Sequence, residues 1–98
     1  MEQITVSDIV KATGGRLLCG EENLTLSHIS TNSKEMAGAD LFVPLIGERV
    51  DAHRFIAGAF EAGAVATLTS EHDAMDDVHP WIRVEDTKKA LQAIGVYL

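Results

Sequence analysis

Two short polar segments gather groups that can hold a ligand. In Thr31-Asn32-Ser33-Lys34, hydroxyl, amide and ammonium groups leave the end of a strand-like run together, the place where ligands of open α/β sheets collect. In Gly47-Glu48-Arg49-Val50-Asp51-Ala52-His53-Arg54 the chain passes from an apolar stretch into the start of a helical one, where unbonded N–H groups favour an anion. The chemistry common to both is capture of a small anionic ligand such as a phosphate. Each segment has a plainer alternative: Ser33 as a turn-capping serine, Asp51 as a helix cap, and Glu48, Arg49 and Val50 as a solvated loop.

No catalytic residue is assigned. The chain lacks a Gly-x-x-x-x-Gly-Lys-Ser/Thr phosphate loop, a Gly-x-Ser-x-Gly elbow and a His-Glu-x-x-His pair, and phosphoryl transfer needs a phosphate cradle, a metal-holding carboxylate and a positioned nucleophile together. No metal ligand is assigned either. His28, His53, His72 and His79 lack zinc-site spacing, and Asp73, Asp76 and Asp77 lack the glycine turn and distal Glu of a calcium loop. His72 and His79 read as polar surface groups. The net charge of −7 with eight scattered Lys and Arg argues against nucleic acid as a partner. No apolar run reaches membrane-span length and the Met-Glu-Gln-Ile start lacks the pattern of a signal peptide, so a cytoplasmic location is expected. Cys19, the single cysteine, reads as a small hydrophobe.

The elements that must position these segments follow from periodicity and caps. Thr5 caps a helix over Val6 to Thr13, with Asp8 in its first turn and Gly14-Gly15 as its stop. Leu17-Leu18-Cys19 is a brief strand, 20–23 a turn, and the alternation over 24–31 predicts one continuous strand. Residues 32–40 form a loop. The apolar run from Leu41 to Ile46 is a buried strand finishing near Val43, because Pro44 removes a ladder donor. Asp51 caps a helix carrying Phe55, Ile56, Ala59, Phe60 and Ala64, with Gly63 at its end. A strand over 64–69, a surface loop over 70–80, a strand over 81–84 and a helix opening at Asp86 complete the chain; Gly95 is a candidate stop for that helix, and Val96-Tyr97-Leu98 reads as a chain cut before a further domain. Strand, loop, helix, strand in succession implies parallel crossovers and an α/β class: a single small domain with a mixed sheet flanked by helices.

Across nearly the whole length the sequence resembles the Mur ligases of peptidoglycan synthesis. Their amino-terminal domain carries Asp-Ser-Arg, Gly-Asp-Leu-Phe-Val-Ala, Gly-Glu, Asp-Gly-His and Gly-Ala in that order. Here the same positions read Asn32-Ser33-Lys34, Ala39-Asp40-Leu41-Phe42-Val43-Pro44, Gly47-Glu48, Asp51-Ala52-His53 and Gly63-Ala64. The closing Val84-Glu85-Asp86-Thr87-Lys88-Lys89-Ala90-Leu91-Gln92 is most similar to the MurF type, which joins D-alanyl-D-alanine to UDP-N-acetylmuramoyl-tripeptide.

The resemblance implies the MurE/MurF amino-terminal fold and a UDP-sugar-binding domain over 1–98. It also implies a parent enzyme whose central domain takes ATP and magnesium and whose third domain receives D-alanyl-D-alanine. Neither of those domains lies in this chain, which alone would be inactive and would need no cofactor of its own. It implies UDP contacts by Thr31, Asn32, Ser33 and Lys34, with Ser33 on the diphosphate or ribose. Gly47, Glu48, Arg49 and Val50 would lie beside the uridine, followed by Asp51 and His53. Departures bear on that list. Lys34 offers a point charge where the family has a guanidinium fork, Asn32 stands for an aspartate, and Ala52 stands for a glycine that would permit positive φ or close backbone approach. A MurE-type ligase domain is the near alternative, and a non-catalytic regulatory or interaction domain on the same fold is the distant one.

Overall fold

Thr5 and Asp8 start the first helix by exchanging bonds. The Asp8 N–H donates to Thr5 Oγ1 at 3.3 Å, and the Thr5 N–H donates to Asp8 Oδ2 at 2.9 Å, a capping box that satisfies donors the helix would leave bare. The helix α1 spans Val6–Thr13 and ends at Gly14, whose φ of 68° is left-handed. It buries Val6 and Ile9. This comes from a computed structural model of the chain, which describes residues 4–97. The Met1–Gln3 start, on which the signal-peptide reading rests, and the terminal Leu98 lie outside the described residues.

Around α1 run β1 (Ile4–Thr5), β2 (Arg16–Cys19), β3 (Thr25–Leu26), β4 (His28–Ser30) and β5 (Asp40–Phe42). A 3-10 turn over Ala52–Phe55 leads into α2 (Ile56–Ala62), then β6 (Ala64–Thr69), β7 (Trp81–Arg83) and α3 (Thr87–Tyr97). The main sheet has the order β2-β7-β6-β5-β4. Strands β4 to β7 are mutually parallel and β2 is antiparallel to β7, so the sheet is mixed, in the α/β architecture read from the sequence. A separate antiparallel pair joins β1 to β3.

Side chains on the two faces form two cores. One gathers α1 and α3 over the sheet through Val6, Ile9, Leu41, Leu68, Ile82 and Ile94; the other sets Ile56 and Ala59 of α2 against Phe42, Ala64 and Trp81. The fold is therefore helix, sheet, helix in layers. No helix among the described residues is long and apolar enough to cross a membrane.

Four readings of the sequence are corrected here. The alternating run 24–31 is two strands in two sheets, not one: Leu26 pairs with Ile4, His28 pairs with Asp40, and between them the Ser27 N–H donates to Ala39 O at 3.0 Å. Alternation continues through such a switch, so the pattern does not reveal it. The helix expected from Asp51 opens as the 3-10 turn before becoming α-helical, and Phe55 at the join is 40% exposed with the Arg54 guanidinium 5.4 Å over its ring. Helix α3 passes through Gly95 to Tyr97. Finally, His79, read as a polar surface group, stacks on Phe60 at 3.9 Å; Cys19 packs against the smaller core as the small hydrophobe expected, with its thiol hydrogen toward Asp76 O and His79 O at 3.3 Å. The 70–80 loop is thus pinned to the fold through His79 and Cys19.

Candidate functional site at the carboxyl edge of the parallel strands

Because β4 to β7 run parallel, the loops that follow them emerge along one edge of the sheet, where open α/β sheets bind ligands. After β4, Ser30 Oγ lies 2.9 Å from both Asn32 O and Glu35 O, which share its one hydrogen, and Asn32 Oδ1 accepts the Lys34 N–H at 2.9 Å. Asn32 therefore builds the turn, as an aspartate would. Thr31 and Asn32 are exposed and face a shallow groove beside the edge strand β4. Ser33 and Lys34 turn the other way and share a groove of about 550 Å³ with Arg54 and Phe55.

After β5 the chain forms a narrow arm. Gly47 N–H donates to Val50 O at 2.8 Å, Ala52 N–H donates to Leu45 O at 3.0 Å, and Ile46 bridges to Asp51. Gly47 and Glu48 lie at the exposed tip and line neither groove. Arg49, Val50, Asp51 and His53 line a groove of about 450 Å³, which Arg54 also lines, so the two grooves adjoin. The two segments that the sequence singled out thus meet at Arg54. The opposite wall is Glu71, His72 and Met75, from the loop after β6. No motif marks that loop in the sequence; its place after a parallel strand is what would have pointed to it.

Among the described residues Lys34, Arg49 and Arg54 make no ion pair. Cations without an ion-pair partner suit an anion, and the exposed apolar Val50 and Met75 offer a surface for a flat ring. A larger groove, about 700 Å³, lies at the far end of the same edge between α1 and α3. There Arg16, Arg83 and Lys89 are mixed with Glu85 and Asp86, and Asp86 Oδ1 already caps α3 by accepting from Lys88 N and Lys89 N at 2.9 and 3.1 Å. Charge alone does not separate the two places, because Asp51, Glu61 and Glu71 line the adjoining grooves beside Lys34, Arg49 and Arg54.

His53 is 4% exposed, and both ring nitrogens are engaged. The Ser70 N–H donates to Nε2 at 2.9 Å, so Nε2 presents a lone pair; Nδ1 then carries the hydrogen and donates to Asp51 Oδ1 at 2.7 Å. A ligand in the groove has no free ring nitrogen to meet. Asp51 caps the 3-10 turn, its Oδ1 accepting the His53 N–H at 2.9 Å. Burial pushes the Asp51 carboxyl up, but hydrogen bonding with Glu71 and with the backbone and ring of His53 outweighs it and holds the group below the ordinary carboxylate range. Glu71 is held above its range, first by the hydrogen bond its protonated form shares with Asp51 and then by burial.

Asp51, His53 and Glu71 bring potential metal-ligating atoms within 4.8 Å of one another, a cluster that sequence spacing did not reveal because Glu71 comes from another loop. With each imidazole nitrogen already committed, a cation would have to displace the Asp51 or the Ser70 bond. Ala52, where positive φ was in question, is not among the residues with positive φ; Ala39, at the family's other glycine position, is, at 52°.

The family model described as "Mur ligase family, catalytic domain" matches residues 25–95. The UDP-N-acetylmuramoyl-tripeptide--D-alanyl-D-alanine ligase of Bacillus subtilis (strain 168) is 36% identical over 93 residues, covering 93% of this chain and 20% of the relative. The UDP-N-acetylmuramoyl-L-alanyl-D-glutamate--2,6-diaminopimelate ligase of Listeria monocytogenes serotype 4b (strain F2365) is 36% identical over 76 residues, covering 78% of this chain and 15% of the relative. A crystal structure of MurF from Acinetobacter baumannii superposes with a TM-score of 0.82 at 28% identity, covering 99% of this chain and 21% of that one. The chain spans about a fifth or less of the length of these proteins.

Proposed function

Since the chain belongs to the Mur ligase family, we propose that it is the substrate-gripping amino-terminal domain of a MurF-type ligase and holds the UDP end of UDP-N-acetylmuramoyl-tripeptide. The observation that carries this reading is the meeting of Ser33 and Lys34 with Arg49, Val50 and Arg54 in adjoining grooves on the carboxyl edge. Lys34 and Arg54 neutralise the diphosphate, and Ser33, whose hydroxyl bonds none of the described residues, donates to it. Arg49 and Val50 of the arm lie toward the uracil, and Val50 and Met75 cover the ring face, while Gly47 and Glu48 at the tip stay outside the grooves. Asn32 and Asp51 shape the walls without touching the ligand.

The family model is described as a catalytic domain, yet no phosphate loop or nucleophile motif occurs in this chain. Its contribution is therefore to fix one end of the substrate, the entropic part of such catalysis. ATP, magnesium and D-alanyl-D-alanine belong to the rest of a parent protein working in the cytoplasm. MurF type is preferred over the diaminopimelate-adding type because the closing segment 84–92 is most similar to it and a MurF structure matches 99% of this chain. The departures at Asn32 and Ala52, which would favour a domain that has lost nucleotide binding, lose weight: Asn32 holds its turn and Ala52 has ordinary φ.

Titrating the chain with UDP while following backbone amide shifts tests the reading. Shifts should concentrate at Ser33, Lys34, Arg49, Val50 and Arg54, and Arg54→Ala should weaken binding by about tenfold, the worth of one charge-assisted contact. No response at millimolar UDP would sink the proposal. Assaying the full-length parent with D-alanyl-D-alanine and with diaminopimelate decides the type.

A further inference from the structure

His53 joins the two walls of the groove. Pairing of β5 with β4 ends at Phe42, and the Val43 N–H makes the next bond, to Ser30 O. The arm beyond it is closed by its own bonds, from Gly47 to Val50 and from Ala52 to Leu45, and such internal bonds do not fix its distance from the sheet. Among the described residues, two links join this arm to the end of β6 and the residue after it: the hydrogen bond shared by the Asp51 and Glu71 carboxyl groups, and His53, whose Nε2 accepts the Ser70 N–H at 2.9 Å and lies 3.3 Å from Ser70 Oγ. On the arm side, Asp51 Oδ1 receives both the His53 N–H and the His53 Nδ1–H, at 2.9 and 2.7 Å. The ring is 4% exposed, with Glu71 Oε1 at 3.8 Å and the His72 ring centroid at 5.8 Å on the groove side.

We propose that His53 is a positioning residue for nucleotide binding: held as the Nδ1–H tautomer, it cross-links the arm carrying Arg49 and Arg54 to the strand end carrying Glu71 and His72, and so sets the groove width without touching the ligand. The inference rests on the UDP reading above and adds how that site is held open to its ligand. A site whose supporting shell is loosened by an ångström loses affinity although every contact residue is still present. Imidazole is suited to the place because one ring supplies a donor and an acceptor in opposite directions with little rotamer freedom. The histidine is thereby distinguished from Ser33, Lys34 and Arg54, which reach the groove directly.

Two substitutions separate the halves of the link. In His53→Asn the amide nitrogen falls near the Nδ1 position, keeping the donor to Asp51 and losing the acceptor for Ser70. In His53→Gln the amide oxygen falls near Nε2, keeping the Ser70 acceptor. UDP titrations should show His53→Gln within about twofold of wild type and His53→Asn about tenfold weaker, the cost of leaving a buried backbone N–H without a partner. Thermal melts of both would confirm that folded protein is being compared. In the wild type, nitrogen-15 shifts of the ring should report a protonated Nδ1 and a bare Nε2, a readout that survives even if both variants fail to fold. A protonated Nε2 overturns the proposal. So does undiminished UDP binding by folded His53→Asn, which leaves the UDP reading standing; absence of UDP binding by the wild type removes that reading and the positioning role together.

Discussion

Ala39 carries a side chain where the backbone favours none. Its φ of 52° is left-handed, and the reason lies next door: the buried Asp40 accepts the N–H groups of Ala37 at 3.0 Å and Gly38 at 2.6 Å on one oxygen, folding 37–39 into a turn too tight for ordinary φ. A Cβ there costs about 1 kcal/mol, so Ala39→Gly should raise the urea midpoint by a corresponding amount; an unchanged or lowered midpoint would show the turn is relaxed. Asp76 makes a second residue-level case. Burial pushes its carboxyl up, but the His79 N–H and ring, with the Val78 N–H, outweigh burial and hold it below the ordinary range. A depressed carboxyl stabilises fully above its unfolded value near 3.9 and loses that contribution as pH falls through the lower folded value. Asp76→Ala should therefore cost about 1 kcal/mol near pH 7 and progressively less as pH falls below about 3.9, as denaturation curves at the two pH values would show. Of the residues that line the adjoining grooves, Ser33, Lys34, Arg49 and Val50 were legible because hydroxyls and cations cluster in short segments. The bond from Ser70 to His53 was not, because Ser70 lies 17 residues away and only the fold brings its N–H to the ring.

Elements with local causes were legible from local sequence. Helix α1 follows from Thr5, Asp8 and Gly14, and β6 from the unbroken run Ala64 to Thr69. The misread ones depend on distant partners: the switch between β3 and β4 at Ser27 is imposed by pairing with Ile4 on one side and Asp40 on the other. Helix α3 shows a milder form of the same effect. Gly95 reads as a stop, but Ile94 is buried in the core with Ala90, and that packing carries the helix through the glycine. A Cβ built at Gly95 meets nothing within 4 Å, so Gly95→Ala adds helix propensity without a clash. It should stabilise the chain by about 0.5 kcal/mol, below the full interior value because the helix ends two residues later at Tyr97. Thermal melting checks this; a lower midpoint would mean that the glycine does end the helix in solution.

At the scale of the molecule, the two cores share one sheet, and that sheet determines how the chain must unfold. Leu41 belongs to the core beneath α1 and α3 while its neighbour Phe42 belongs to the core beneath α2; Ile82 and Trp81 divide the same way on β7. Neither core can lose its strands without opening the other, and a chain of 98 residues has about 5 to 10 kcal/mol in total to lose. Trp81, the single tryptophan, sits in the smaller core, so its fluorescence reports that face while far-ultraviolet circular dichroism, dominated by α1 and α3, reports the other. Ile82→Ala opens a cavity only in the larger core and should cost about 3 kcal/mol. Both signals should nevertheless move to the same lower midpoint, as a two-state domain requires. Fluorescence that kept its wild-type midpoint while the helical signal fell would mean that the faces melt separately. The carboxyl-edge grooves, whose walls hang from strands shared by both cores, would then have lost the rigid base that a nucleotide grip needs.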